Sequence, residues 1–313
     1  MWLFSEGFTN FGAEKERDIG FSLLRYPINR VLAFIFSGPL GPISPFISIY
    51  IRIKPKEPMS NAYFQFKQFT VRHERCAMKV GTDGVLLGAW APVEGVGRIL
   101  DVGTGTGLVA LQLAQRSASA RITAIEIDPD AAAQAGENVA ASPWSDRIEV
   151  VCGDFATFRQ IATFDTFATP SLVAKPTVAE EEGYDLIVSN PPYFTEALQC
   201  PDPRRCTARH TATLDYALLF RRGAALLAPG GVLALIFPAD AEPRVLEAAA
   251  CSALYPCRRL AVYTKPGKPL RRLLMAFSPR LAPCRHDELY IHTPDGSYSE
   301  DYRRLTGDFY LRF

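Results

Sequence analysis

The sequence predicts an α/β protein in which a mostly parallel β-sheet is covered by helices on both faces. The first indication is that short apolar runs alternate with helical segments of about ten residues, which is the pattern of βαβ units. The second is that these apolar runs are nearly continuous, as expected of strands buried on both faces. The composition agrees, since 48% of the 313 residues are hydrophobic and 21% are charged, as in soluble globular proteins.

The regular pattern begins at Tyr63. The predicted strands are, in order, "RILDVG", "RITAIEI", "IEVVCGD", "YDLIVSN" and "PGGVLALIFP". The predicted helices are "LVALQLAQR", "PDAAAQAGENVAAS" and the segment from Leu214 to Leu227. We expect the remaining segments, from "LLMAF" through "FYLRF", to add strands to the same sheet. The stretch from Phe158 to Gly183 is long for a connection and is expected to be a partly exposed insertion.

The first 58 residues do not share this pattern. Val31 to Ile51 is an uncharged run of 21 residues, which is long enough to span a membrane. Three prolines and two glycines within the run interrupt helical continuity, so we expect no stable membrane association. Met59 is a plausible true start. Residues 1–58 are therefore interpreted as an extension of doubtful origin, and residues 59–313 as a single domain.

The net charge of +1 means that any nucleic-acid partner must be met by a local patch. The seven cysteines are scattered and include no C-x-x-C pair, which argues against a disulfide framework and against a zinc cluster. None of the four histidines stands at metal-ligand spacing, so no metal is expected. A reducing cytoplasm is the expected location, and no obligate protein partner is inferred.

A glycine loop, "DVGTGTG" from Asp101 to Gly107, lies between a predicted strand and a predicted helix. Glycines at alternate positions, among them Gly103 and Gly105, let the backbone turn tightly and let a ligand approach with no Cβ in the way. The spacing is G-x-G-x-G rather than the G-x-G-x-x-G of dinucleotide-binding folds. Taken alone, the loop is also compatible with a plain strand-to-helix turn.

Two later acidic residues favour the binding interpretation. Glu126 ends the second strand, where a carboxylate can accept both hydroxyls of a ribose. Asp154 ends the third strand, where it can accept from an exocyclic amine, with Phe155 against the face of a base. Together with Asp101, these carboxylates meet at the switch point of the sheet and suit a nucleoside without a pyrophosphate. Singly, Glu126 or Asp154 is equally typical of a helix N-cap or a solvated strand end.

The fourth strand is followed by "NPPY", Asn190 to Tyr193. The whole set resembles the class I S-adenosylmethionine-dependent methyltransferases, in which this tetrapeptide is the amino-methyltransferase signature. The resemblance implies a Rossmann-like fold with a mostly parallel seven-stranded sheet, and S-adenosylmethionine as cofactor. The side-chain oxygen of Asn190 and the carbonyl of Pro191 would each accept one N–H of the substrate nitrogen. The prolines pre-organise both acceptors, and Tyr193 supplies a stacking face.

Four segments resemble the bacterial tRNA(Val) adenine-N6 methyltransferases: Phe64 to Pro92, "ENVAASPWSDRI", "LLMAFSP" and "YSEDYRRLTGDFYLRF". The resemblance covers nearly all of Phe64 to Phe313. It implies as partner the anticodon stem-loop of a tRNA, in which adenosine 37 lies next to the anticodon on its 3′ side. It also implies that Lys79 and Thr82 lie in the segment, about residues 63–92, that closes over the cofactor. The residues expected to line the cofactor are Asp101, Gly103, Gly105, Glu126 and Asp154.

Other interpretations of the N-P-P-Y motif stay open. Protein-glutamine N5 methyltransferases of release factors share it, but they usually carry a separate helical N-terminal domain, which the short segment before Arg98 does not supply. Guanine-N2 methyltransferases of rRNA also contain Asn-Pro-Pro, usually followed by Phe. A non-enzymatic proline-motif scaffold would not need Glu126 or Asp154. The first 58 residues have no counterpart in the resembling family, and residues 158–183 look expanded, but neither departure affects the motifs.

A basic region near the end of the chain is the predicted site of RNA contact. Between Cys251 and His286 there is no Asp or Glu. Eight basic residues stand there: Arg258, Arg259, Lys265, Lys268, Arg271, Arg272, Arg280 and Arg285. A phosphate backbone is the favoured partner, with Arg271 and Arg272 as candidate contacts; the alternative is a solvated face whose acidic partners lie elsewhere in space. A second group of candidate RNA contacts follows the catalytic loop in "CPDPRRCTARHT": Arg204, Arg205 and Arg209.

Overall fold

A computed structural model describes residues 62–159, 183–192 and 215–313. The strands within these ranges are β1 (Tyr63–Gln65), β2 (Thr70–Arg72), β3 (Arg98–Val102), β4 (Arg121–Glu126), β5 (Ile148–Cys152), β6 (Tyr184–Ser189), β7 (Leu227–Pro238), β8 (Tyr255–Tyr263), β9 (Leu270–Ser278) and β10 (Arg285–Tyr290). The helices are α1 (Thr82–Trp90), α2 (Leu108–Arg116), α3 (Pro129–Ala140), α4 (Tyr216–Leu226), α5 (Glu242–Cys251) and α6 (Glu300–Thr306). The proposed extension, residues 1–58, and most of the proposed insertion lie outside the described residues.

Eight of these strands form one sheet in the order β10-β8-β9-β7-β6-β3-β4-β5, and β1 and β2 form a separate antiparallel hairpin. The strands β3 to β7 are parallel, whereas β9 is antiparallel to both β7 and β8. The predicted, mostly parallel α/β fold is therefore confirmed. The sheet has one strand more than the expected seven, because β10 pairs with β8 at the edge.

The region from "LLMAF" to the chain's end was expected to add strands to the sheet; β9 and β10 confirm this, but the last residues form no strand. They follow α6 and pack instead against the β1–β2 hairpin. The backbone N–H of Lys67 donates to the carbonyl of Phe309 at 2.9 Å, and the ring of Tyr310 lies 6.0 Å from that of Phe64. Aromatic burial against the hairpin takes the place of strand pairing.

Helices cover both faces of the sheet because both faces are apolar. One buried cluster contains Val85 of α1, Leu111 of α2 and Tyr302 of α6. The cluster on the other face contains Phe220 of α4 and Val245 of α5. The central strands are thus sandwiched, which explains why their sequences are continuous rather than alternating apolar runs.

The strand order reverses between β3 and β6. From β3 the chain goes to β4 and β5 on one side and then returns to β6 on the other. Val102 is in register with Ile125 of β4 and with Ser189 of β6, and the Ser189 hydroxyl donates to the carbonyl of Val102 at 2.9 Å. The carboxyl ends of two neighbouring strands therefore lie side by side at the switch point, where open α/β sheets bind their ligands.

A single buried amide joins the β1–β2 hairpin to this end of the sheet. Asn138 of α3 accepts from the N–H of Arg72 at 2.9 Å and donates to the carbonyl of Arg72 at 2.8 Å. The same amide nitrogen donates to the carbonyl of Thr106 in the glycine loop at 2.9 Å. Asn138 therefore positions the segment that precedes α1 relative to the glycine loop.

Candidate active site

A cavity of about 330 Å³ lies at the carboxyl ends of β3 and β6. It is enclosed by the segment before and within the first turn of α1, by the glycine loop, by the start of α2 and by Asn190. The residues that line it are Met78, Lys79, Gly81, Thr82, Asp83, Gly84, Asp101, Gly103, Thr104, Gly105, Thr106, Leu108, Val109 and Asn190. Six residues predicted for the site are thus brought together: Lys79, Thr82, Asp101, Gly103, Gly105 and Asn190.

The glycine loop has the conformation that its glycines allow. Gly103 and Gly105 have φ angles of +70° and +57°, which lie in the left-handed region. A Cβ at either position would meet no atom within 4 Å, so the missing side chains leave open space rather than a tight backbone contact. The loop is tied to β4, because the N–H of Gly103 donates to the carbonyl of Ile125 at 2.9 Å. The loop therefore presents a fixed concave backbone to a ligand.

Asp101 is almost fully buried and makes hydrogen bonds that fix the glycine loop. Its Oδ2 accepts from the Thr104 hydroxyl at 2.6 Å and from the N–H of Ala110 at 3.2 Å. Burial raises the pKa of this carboxyl to about 7, although both hydrogen bonds act in the opposite direction. Asp101 thus joins the loop to the first turns of α2.

Glu126 lies where the sequence predicted it, at the end of β4. One carboxylate oxygen accepts from the N–H of Gly105 at 2.8 Å, and the other accepts from the N–H of Asp128 at 3.0 Å. Each carboxylate oxygen has a second lone pair, so these bonds leave the capacity to accept a hydroxyl. Glu126 therefore shapes the loop, and its ribose contact stays a prediction.

Asp154 and Phe155 follow β5 and differ in exposure. Asp154 is exposed, and its Oδ1 accepts from the N–H of Ala156 at 2.8 Å, which caps the turn that follows. Phe155 is only 5% exposed and packs in the cluster that contains Ile125. The ring is therefore held mainly by the core, and its contact with a base stays a prediction.

Asn190, one of the two predicted acceptors, lies beside the glycine loop. Asn190 follows Ser189, the partner in register of Val102, and is half-buried at the cavity wall. Pro191 is buried and Pro192 is exposed. The predicted stacking residue, Tyr193, lies outside the described residues.

Part of the predicted basic patch is neutralised by acidic partners. Three of its arginines form ion pairs of 2.8 Å: Arg259 with Glu242, Arg272 with Asp83, and Arg285 with Asp287. The guanidinium of Arg258 lies 4.7 Å from the centroid of the Trp90 ring. Acidic partners that lie elsewhere in space, the alternative that the sequence left open, thus account for part of the patch.

Three further basic residues of the patch, Lys265, Lys268 and Arg271, belong to the turn between β8 and β9 or follow it directly. Arg271 is exposed, and its neighbour Arg272 is in register with Pro238 at the carboxyl end of β7. The turn therefore lies at the same edge of the sheet as the cavity. The RNA contact of Arg271 stays a prediction. The other candidate RNA contacts, Arg204, Arg205 and Arg209, lie outside the described residues.

Two residues of the site were missed by the sequence reasoning. Asp83 lines the cavity and pairs with Arg272, which is 189 positions away. Asn138 connects the hairpin to the glycine loop. No local pattern indicates either contact, because each depends on a long-range approach; only the position of Asp83 beside Thr82 was a hint.

The described residues provide no arrangement of three or more His, Cys, Asp or Glu side chains suited to a metal ion. Nor does any helix among them combine the length and apolar character needed to cross a membrane.

The fold and the cavity define a methyltransferase of the Rossmann-like class. A family model described as a methyltransferase domain matches residues 99–181. A predicted O-methyltransferase from Agrobacterium tumefaciens has a similar structure, with a TM-score of 0.51 and 21% identity, over 72% of this chain and 96% of that one. At this identity the likeness concerns the fold alone.

Sequence relatives define the family more narrowly. The tRNA1(Val) (adenine(37)-N6)-methyltransferase of Bacteroides fragilis is 50% identical over 254 residues, which are 81% of this chain and 100% of the relative. The enzyme of the same name from Aeromonas hydrophila is 46% identical over 253 residues, 80% of this chain and 98% of the relative. The chain belongs to the tRNA1(Val) (adenine(37)-N6)-methyltransferase family, as the resemblance of its motifs implied.

Proposed function

We propose that this protein transfers a methyl group from S-adenosylmethionine to N6 of adenosine 37 in a valine tRNA. The observation that carries the proposal is that the Asn190 amide lies in the wall of the same cavity as Gly103 and Gly105. A nucleotide-binding loop and an acceptor for an amine are thus combined in one site. The names of the relatives specify the tRNA and the adenine, and this substrate implies a cytoplasmic location.

The cavity suits S-adenosylmethionine by its chemistry. The open space above Gly103 and Gly105 accommodates a ligand against the backbone. Asp101 and Glu126 hold the loop, and Lys79 and Thr82 line the side formed by the covering segment. When bound, the cofactor supplies a methyl group made electrophilic by a sulfonium.

The chain's own part in the reaction is to position the amine. The N6 nitrogen of adenine is a poor nucleophile because its lone pair is delocalised into the ring. The side-chain oxygen of Asn190 and the carbonyl of Pro191 each accept one N–H, which favours a lone pair directed at the cavity. The fixed φ of Pro191 and Pro192 keeps both acceptors in place before the substrate arrives. In-line displacement then needs little beyond this orientation.

The test is methyl transfer in vitro to two transcripts of valine tRNA, one with adenosine and one with guanosine at position 37. We expect N6-methyladenosine, identified by mass spectrometry of nucleosides, in the first transcript alone. Equal incorporation into both transcripts would contradict the assignment of position 37.

The main rival substrate is the glutamine side chain of a release factor, since a carboxamide nitrogen satisfies the same two acceptors. A release-factor peptide assayed beside the transcripts separates the two. Transfer to the peptide and to neither transcript would replace the tRNA assignment by the protein one.

A further inference from the structure

The ion pair between Asp83 and Arg272 belongs to the wall of the candidate active site. Asp83 is in the first turn of α1 and lines the cavity. The Arg272 Nε lies 2.8 Å from its Oδ2. The two side chains are only 25% and 28% exposed, so this pair is better shielded from solvent than an ordinary surface pair.

The pair joins two distant parts of the chain. Arg272 lies near the start of β9, where it is in register with Pro238 at the end of β7. Asp83 belongs to the segment that covers the cavity, which lies in the N-terminal part of the described chain. An ion pair across 189 positions therefore ties the covering segment to the C-terminal half of the sheet.

The residue after Asp83 shows why this position matters for the reaction. A Cβ on Gly84 would stand 3.0 Å from the Cδ2 of Leu108 and 3.9 Å from the amide nitrogen of Asn190. The backbone at the start of α1 therefore lies close to the start of α2 and to the Asn190 side chain. Because packed interiors transmit small displacements, a shift at Asp83 would move the surroundings of Asn190.

Helix α1 depends on such a tie at its beginning. Its N-cap is Gly81, which provides no side-chain cap. Asp83 is favourably placed relative to the helix dipole, and Arg272 determines where its carboxylate points. Removing Arg272 would take away the charged group that the Asp83 carboxylate faces at 2.8 Å.

We propose that Asp83 and Arg272 form a positioning pair for methyl transfer, which holds the start of α1 against Asn190. The substrate in this statement rests on the proposed function. The proposal takes Arg272 out of the predicted RNA contacts and gives it a role inside the site. Loss of the pair then lowers kcat and leaves tRNA affinity nearly unchanged.

The experiment is a double-mutant cycle of Asp83→Asn, Arg272→Ala and the double variant in the full chain. We expect each single variant to lower kcat roughly tenfold or more, since small misplacements of reacting groups have large effects. The double variant should be no slower than the slower single variant, because both substitutions remove the same ion pair. The tRNA dissociation constant and its salt dependence should match those of the wild type.

The matched control is Glu242→Gln. Glu242 pairs with Arg259 at 2.8 Å, and the side chains are 26% and 20% exposed, so the pair resembles Asp83–Arg272 but lies away from the cavity. We expect this variant to shift the melting temperature about as much as Asp83→Asn and to keep kcat within about twofold of the wild type. An equal loss of kcat in the control would reduce the proposed role to general stability.

Two further outcomes would overturn the proposal. If Arg272→Ala weakens tRNA binding and flattens its salt dependence while Asp83→Asn does not, Arg272 is a phosphate contact. If the losses of kcat in the two single variants add, the residues act separately.

A measurement that needs no tRNA can test the ion pair even if the proposed function is wrong. Amide hydrogen exchange at Gly84 and Val85 should be faster in both single variants and unchanged in Glu242→Gln. If the wild type methylates no tRNA, the proposed function fails, and exchange still decides whether the pair holds α1. Unchanged exchange in Arg272→Ala would show that the ion pair does not hold the start of α1, which would contradict the proposal.

Discussion

At the scale of single residues, Gly105 tests whether the loop is the cofactor site. The substitution Gly105→Val should abolish S-adenosylmethionine binding, because the side chain would enter the open space above the loop. The matched control is Gly95→Val, since Gly95 also has a left-handed φ, +71°, and open surroundings but lies outside the cavity. Calorimetry should show binding by the control alone. Unchanged affinity in a folded Gly105→Val protein would exclude the loop.

Asp101 should make stability depend on pH. Its folded pKa of about 7 lies above the ordinary 3.8, so between these values the folded protein holds a proton that the unfolded chain releases. The free energy of unfolding must then fall as pH rises from about 4 to about 7. In Asp101→Asn, whose amide oxygen still accepts from Thr104, this decline should disappear. Urea unfolding of both proteins across that range measures it, and parallel curves would contradict the buried titration.

The residues whose places in the cavity were predictable from sequence are those whose pattern is local. Gly103 and Gly105 are identified by spacing within one loop, and Asn190 by its place in one tetrapeptide. The burial of Phe155 was not predictable, because it depends on neighbours from other strands. The ion pair of Arg272 was not predictable for a similar reason, since its acidic partner is distant in sequence.

At the scale of elements, Asn138 holds the β1–β2 hairpin to the glycine loop. Asn138→Ala should lower the free energy of unfolding by roughly 1–3 kcal/mol, because it removes the partner of the buried Thr106 carbonyl and of the partly buried backbone groups of Arg72. The control is Gln115→Ala, which removes one exposed bond from an amide to the Asp308 carbonyl. Chemical denaturation compares the two. Equal losses would show that the hydrogen bonds of Asn138 contribute no more to the free energy of unfolding than one exposed hydrogen bond does.

The turn between β8 and β9 is the element expected to meet RNA. Lys268→Ala with Arg271→Ala should weaken tRNA binding across sequences and reduce its salt slope by roughly 0.7–0.9 for each phosphate that is no longer neutralised. Arg285→Ala is the comparison, because Arg285 is at the start of β10 and is paired with Asp287. Affinities at several salt concentrations are the measurement, and identical slopes would remove the turn from the RNA footprint.

The order and type of the elements were largely predictable, because hydrophobic runs alternate with amphipathic ones from β3 to β7. The eighth place that β10 takes at the edge, and the packing of the last residues on the hairpin, were not predictable. Edge pairing and aromatic docking both depend on surfaces formed only after the sheet has assembled. Local sequence therefore determines the central strands better than the periphery.

At the scale of the whole molecule, the net charge of +1 does not reveal how unevenly the positive charge is distributed over the surface. Acidic residues pair with Arg259, Arg272 and Arg285, which lowers the positive charge that these arginines offer to an RNA. The positive charge that stays at the cavity's edge of the sheet is concentrated in the β8–β9 turn. Such a distribution suits a protein that must hold an RNA loop while one base enters the site.

The most direct test of the central claim is mass-spectrometric mapping of the nucleosides in valine tRNA from cells that lack the gene. We expect N6-methyladenosine at position 37 to be absent and to return when the wild-type protein is supplied. The Asn190→Ala protein, present at the same level, should not restore it, because loss of one positioned hydrogen-bond partner lowers turnover by roughly a hundredfold or more. Position 37 still methylated without the gene, or fully restored by Asn190→Ala, would contradict the account.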